Sequence, residues 1–292
     1  MPAMRPGARK SLGAGTLFKS PAGRVALLAP ALVALILCVP CLRHPFVWDD
    51  FGFLERAQTF QPSDLLPHPH DLFYRPISRD LYFRALISLG PGSALAAHAI
   101  NAALLALAAA SLALFAARLG GVKAGWLAGS LYAGMGAAPL LVGWASGIQD
   151  LLAIVLSLAA LQLELSRRSA AAVACAAGAI LCKETALAFV PALALLHWIL
   201  DRKPHRVAGG LIRYGALVLA WAAAHPGARL LLSTGLAGGG GYLAETAGSR
   251  AEVLASSLAT AVNVPLTGLA TPWLTAVLPA LAIPMVLLRP DG

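Results

Sequence analysis

Runs of about 18 or more residues with few or no charges recur along this chain, and such runs fit the roughly 30 Å core of a bilayer. The first covers residues 25–42. Others cover 93–116, 124–141 and 207–224, with shorter apolar spans at 151–165, 170–182 and 185–200. Two later candidates, 253–269 and 274–288, are interrupted by proline. Hydrophobic residues make up 59% of the 292, with a mean hydropathy of +0.75, an apolar excess that a soluble domain of this length does not carry. The expected fold is all-α: a polytopic membrane helical bundle of about nine transmembrane segments, with no internal repeat and no separate soluble domain. Its shorter spans fit a membrane in which neighbouring loops are partly recessed.

The net charge of +9 needs no nucleic-acid partner, because the basic residues cluster in turns where they set orientation. Arg5, Arg9, Lys10, Lys19 and Arg24 precede the first span. That span is longer than a signal-peptide core and no small-residue cleavage site follows it, so it reads as a retained helix. With residues 1–24 as a cytoplasmic tail, Arg118/Lys123, Arg167/Arg168 and Arg202/Lys203/Arg206 all fall on the cytoplasmic side. The large polar loop 43–92, the segment 144–150, the pair Lys183-Glu184 and a later glycine-rich loop over 225–252 fall outside. The expected location is a cell membrane, a bacterial inner membrane, crossed several times with the N-terminus in the cytoplasm.

Only 12% of residues are charged, yet Asp49, Asp50, Tyr74, Arg75, Arg79, Asp150, Lys183 and Glu184 all fall at the outer ends of spans. Charges near membrane depth are costly unless they pair or work. Asp49 and Asp50 stand side by side in "FVWDDFGF", between aromatic residues. Adjacent carboxylates repel, which suits a general base beside a charged partner, or a pair of metal ligands; a solvated turn is the plainer alternative. Arg75 and Arg79 open an amphipathic stretch over 74–89 in which Leu81, Phe83, Leu86 and Ile87 face lipid or other helices. Their planar forks suit a phosphate, or else snorkel from an interfacial helix. Lys183-Glu184 is a phosphate contact or a local ion pair. His98 and Asn101, three apart on one face, suit a hydrogen bond between helices. His68-Pro69-His70-Asp71 resembles a metal site or a proline-stiffened loop, leaving a divalent metal as an open alternative. Cys38 and Cys41, like Cys175 and Cys182, lie in or beside apolar runs and read as small buried hydrophobes in preference to a redox or metal pair.

These pieces in order, "FVWDD" (46–50), "YRPIS" (74–78), "HAIN" (98–101), "WASGIQDLL" (144–152) and "CKET" (182–185), resemble membrane glycosyltransferases of the GT-C fold, in the branch of TMTC-type and bacterial protein O-mannosyltransferase-like enzymes. The resemblance covers about 46–200. It implies transfer of a sugar, mannose in that branch, from a polyprenyl-phosphate carrier to a protein or glycan acceptor on the outer face. It implies Asp49 or Asp50 as catalytic base, with Tyr74, Arg75, Arg79, His98, Asn101, Asp150, Lys183 and Glu184 around the substrates. The chain departs from the pattern in three places. The stretch 134–144 has no histidine or acid where the family carries His-Pro and a Glu. Ile148-Gln149 stands where an Arg or Lys follows the Ser-Gly. The sequence ends at Gly292 without the further helices and tetratricopeptide repeats of many members. A short relative, a fragment or a form with altered activity all fit that ending. A catalytically inactive protein binding a lipid-linked sugar or a partner is the second reading. A small-solute transporter is the third, with Arg213 as its one intramembrane candidate.

Overall fold

The computed structural model describes residues 21–68, 73–201 and 204–229. Among them there is no strand. The helices are α1 (Pro21–Cys38), α2 (Asp49–Gln58), α3 (Tyr82–Ile87), α4 (Ser93–Gly120), α5 (Val122–Ala133), α6 (Ala138–Gly143), α7 (Ile148–Leu165), α8 (Ser169–Cys182), α9 (Val190–Asp201) and α10 (Pro204–Ala224). Among the described residues four stretches are long and apolar enough to cross a membrane: Gly23–Arg43, Gly90–Gly120, Ala145–Leu165 and Pro204–Ala224.

Three expected spans come out differently. The run 124–141 is broken after Ala133, where Gly134, Gly136 and Pro139 interrupt helical hydrogen bonding, and it resumes as the short α6. The run 170–182 is one helix of 14 residues, about 21 Å long, short of a full bilayer core. The run 185–200 starts as a 3-10 turn, Glu184–Phe189, and becomes α-helical only from Val190. The expected spans 253–269 and 274–288, most of the glycine-rich loop, most of the basic tail, Arg202, Lys203, and the loop residues His70 and Asp71 lie outside the described residues.

The alanine-rich α4 is the central element, packed on α1, α5 and α7. Its buried Ala102, Ala106, Ala109, Ala113 and Ala117 present a face with almost no side-chain bulk. α5 meets that face with Gly125 and Gly129, a small-xxx-small pair that lets backbones approach closely. A Cβ at Gly125 would sit 2.5 Å from the Ala113 carbonyl oxygen and 2.7 Å from the Ala117 Cβ. One at Gly129 would sit 2.8 Å from the Ala113 Cβ and 2.9 Å from Pro30 of α1. A second cluster, with Leu158, Leu161, Leu193 and Tyr214 at its centre, joins α7, α9 and α10.

This packing gives the bundle two polar ends. At one, Arg118 donates to the Gln162 side chain (2.7 Å) and to Ser166 (3.3 Å). The described parts of the loop 43–92, the turn Ala145–Gly147, the start of α7, the turn after α8 and His225 meet at the other.

Candidate functional site

The chain enters this second end through Trp48, whose φ of +48° lies in a region that side chains other than glycine rarely adopt. Trp48 is 70% exposed and stands edge-on to Trp144, 5.8 Å between ring centroids. The strained entry starts α2 at Asp49, and the two adjacent acids go to different environments. Asp50 is fully buried. One of its carboxylate oxygens accepts from the Ser146 backbone N–H (2.8 Å) and the Ser146 hydroxyl (2.5 Å); the other accepts from Val47 N (3.0 Å) and Ala145 N (3.2 Å). Four donors saturate it. Asp49 is exposed and takes part in no hydrogen bond or ion pair among the described residues. Neighbours on a helix point about 100° apart, so one acid turns inward as the other turns out.

The turn that grips Asp50 is itself held from α4. His98, fully buried, faces the Val142 carbonyl with Nδ1 (2.8 Å) and the His44 carbonyl with Nε2 (2.9 Å). A neutral ring carries one N–H and so donates to one of the two at a time. Asn101 donates to the carbonyls of Leu141 (3.1 Å), Trp144 (2.9 Å) and Ala145 (3.4 Å). Both side chains are spent on backbone and sit under the site as props.

Beside them lies an ionic array. Residues 76–81 form a turn with π-helical bonding, a feature frequent at functional sites. Arg75 caps its start and Arg79 lies in its last turn. The Arg75 guanidinium reaches Glu184 through Nε (3.0 and 3.1 Å) and Nη2 (2.7 Å), donates to Gln149 (2.5 Å), and lies over the Phe73 ring. Burial alone would raise the Glu184 carboxyl, but the hydrogen bonds and charge of Arg75, with backbone and His225 contacts, hold it below the usual range. Lys183 pairs with Asp150 at 2.6 Å. Arg79 is nearly buried against its neighbour Asp80 (3.1 and 3.2 Å) and the Phe73 carbonyl, and Asp80 also takes Arg56 at 3.1 Å. The Tyr74 hydroxyl donates to the Leu65 carbonyl at 2.7 Å. Burial, with the nearby Asp80 charge, raises its pKa.

The structure therefore brings Arg75, Asp150, Lys183 and Glu184 into one array and gives His98 and Asn101 a separate task. Sequence reasoning missed Ser146, Gln149, Asp80 and His225. Ser146 and Gln149 lie inside the "WASGIQDLL" stretch, where their polarity among apolar neighbours was the available signal. His225 follows an apolar run directly; it accepts from the Tyr74 N–H (3.3 Å) and faces Glu184 (3.4 Å). Beside Asp150 an apolar cavity of about 390 Å³ opens between α4, α5 and α7, lined by Tyr132, Ile154, Thr185 and Phe189. The Tyr132 hydroxyl is buried there without a hydrogen-bond partner among the described residues.

Arg213 is ion-paired to the buried Glu164 (3.3 Å), which also accepts from Tyr214 (2.9 Å) and Ser169 (2.8 Å). The group ties α7, α8 and α10 together. Among the described residues no three His, Cys, Asp or Glu side chains are arranged to hold a metal ion, and Cys38, Cys41 and Cys182 are buried free thiols.

Fold and site together define a class: a chain whose described residues form a helical bundle without strands, with helices able to cross a membrane and a layer of charged side chains at one end. No protein-family model, no curated protein and no solved structure matches the chain.

Proposed function

We propose that the chain is a membrane glycosyltransferase that moves a sugar, mannose in the branch it resembles, from a polyprenyl-phosphate donor to an acceptor hydroxyl on the extracytoplasmic face. The observation that carries this reading is the division of labour between the two acids: Asp50 is saturated and buried, while Asp49 beside it is exposed with its lone pairs unspent. In the proposed reaction Asp49 takes the proton of the acceptor hydroxyl, the oxygen attacks the anomeric carbon, and the bond from that carbon to the phosphate oxygen breaks. Base assistance of this kind contributes about 10²–10⁴-fold. The phosphate leaves with its charge, which Lys183 and Arg75 would stabilise by exchanging part of their contact with Asp150 and Glu184. The sugar passes through an oxocarbenium-like state, as in glycoside hydrolysis. The apolar cavity beside Asp150 offers a place for the first prenyl units.

Two observations favour a second reading, a non-catalytic binder of a lipid-linked sugar. Both candidate phosphate cations are already neutralised by carboxylates at 2.6–2.7 Å, and residues 134–144 carry no acid. The two readings part in membranes containing the full chain and a radiolabelled polyprenyl-phosphate mannose. Transfer of label to lipid-insoluble material supports the transferase. Retention of the lipid without transfer supports the binder, and neither binding nor transfer removes both.

A further inference from the structure

We infer that the stripe of α2 running from Asp49 over Gly52 to Arg56, with the polar pocket it leads into, is a binding track for a short hydroxyl-rich glycan. The identification of this glycan as the acceptor rests on the transferase reading above; the track itself rests on geometry. Asp49 and Arg56 are seven residues apart, two helical turns, so they share one face of α2 about 10 Å apart along its axis. Gly52 lies between them on that face. A glycine inside a helix weakens it relative to alanine, and close packing does not require one here, since a Cβ built on Gly52 meets nothing within 4 Å. What the glycine leaves is open surface between the exposed acid and the end of the helix.

At that end the surface deepens into a pocket of about 470 Å³ lined by Arg56, Thr59, Gln61, Ser63, Asp64 and His68. Its walls are set by short bonds. Thr59 donates to the Arg56 carbonyl (3.2 Å), and the Gln61 N–H donates to the Asp64 carboxylate (2.8 Å), while the Asp64 N–H returns to the Gln61 carbonyl (2.9 Å). Arg56 is braced from behind by Asp80 (3.1 Å). Two hydroxyls, an amide, a carboxylate and an imidazole offer donors and acceptors in a mixture. Groups that both donate and accept match that mixture, and sugar hydroxyls do both. A strongly anionic ligand would meet only the already paired Arg56 and a histidine. A peptide with large apolar side chains would find no large apolar partner in the lining.

The test uses the full chain in lipid nanodiscs and saturation-transfer NMR with linear trisaccharides of mannose and of glucose, beside a serine/threonine-rich peptide. At least one trisaccharide should receive saturation from the wild type. Gly52→Leu, which lays a side chain across the track, and Ser63→Trp, which fills the pocket, should weaken that binding about tenfold or more. Leu127→Ala, at an exposed position of α5 outside the track, should leave it within about twofold. If neither trisaccharide binds, if only the peptide binds, or if binding survives both blocking variants, the inference is wrong. Trisaccharide binding that the blocking variants abolish, in a chain that transfers no sugar from the lipid donor, keeps the track and removes the transferase reading.

Discussion

Replacing Asp50 with asparagine should cost the fold far more than the same change at Asp49. Asp50 accepts two hydrogen bonds on each oxygen; the three from Ala145 and Ser146 are buried and the one from Val47 is part-buried. An asparagine keeps one accepting oxygen and turns an NH₂ toward the other two donors. Two charge-assisted bonds are lost at about 1.5–3 kcal/mol each, so the expected destabilisation is about 3–6 kcal/mol. Asp49 has no partner among the described residues, and its replacement should fall within about 0.5 kcal/mol of the wild type, as surface changes do. Denaturant titration of the detergent-solubilised chain, followed by tryptophan fluorescence, measures both. Trp48 and Trp144 stand edge-on beside the Asp50 turn and report it locally. Equal stability of the two variants, or a larger loss at Asp49, would refute the assignment of Asp50 as the anchor.

The orientation taken from the basic turns places Gln58 outside and Ser166 inside. In a background without native cysteines, Gln58→Cys should react with an impermeant thiol reagent in intact cells and Ser166→Cys should not; the reverse pattern overturns the orientation. Gly125→Leu should destabilise the bundle by about 1–3 kcal/mol, because its side chain has nowhere to go between α5 and α4; wild-type unfolding behaviour would contradict the close approach. Glu184 binds its proton less readily in the folded chain than in the unfolded one. The stability its ion pair contributes is therefore complete above an ordinary glutamate pKa of about 4.3 and is lost as pH falls through the lower native value. Glu184→Gln should flatten that acid limb of the stability curve, and an unchanged limb would show that Arg75 does not hold the carboxylate.

The level of the site was legible in the sequence. Charges at the ends of apolar runs grouped Arg75, Asp150, Lys183 and Glu184, and the bundle joins them at one end. The partnership within that level was not. Arg75 pairs with Glu184 and Lys183 with Asp150, through loops more than thirty residues apart in the chain, and composition carries no such distance. Nor did the sequence tell Asp49 from Asp50: α2 is short, aromatic residues flank both acids, and only the turn at Ser146 fixes which one faces inward. The break at Gly134 was readable from its glycines and Pro139, but the apolar run on both sides outweighed them. Gly125 and Gly129 form a small-xxx-small pair in the sequence, but the reading of apolar spans made no use of it. His225 carried no motif, and its role emerges only where α10 ends beside the loop holding Tyr74.

The measurement that bears most directly on the central claim is sugar transfer by Asp49→Asn, in membranes where that variant is shown to insert and unfold as the wild type does. Asparagine keeps the shape of the side chain and cannot take a proton at neutral pH. Transfer from a radiolabelled polyprenyl-phosphate mannose should fall about 10²–10⁴-fold, while retention of the lipid donor is unchanged. Transfer at the wild-type rate by Asp49→Asn would rule out Asp49 as the base.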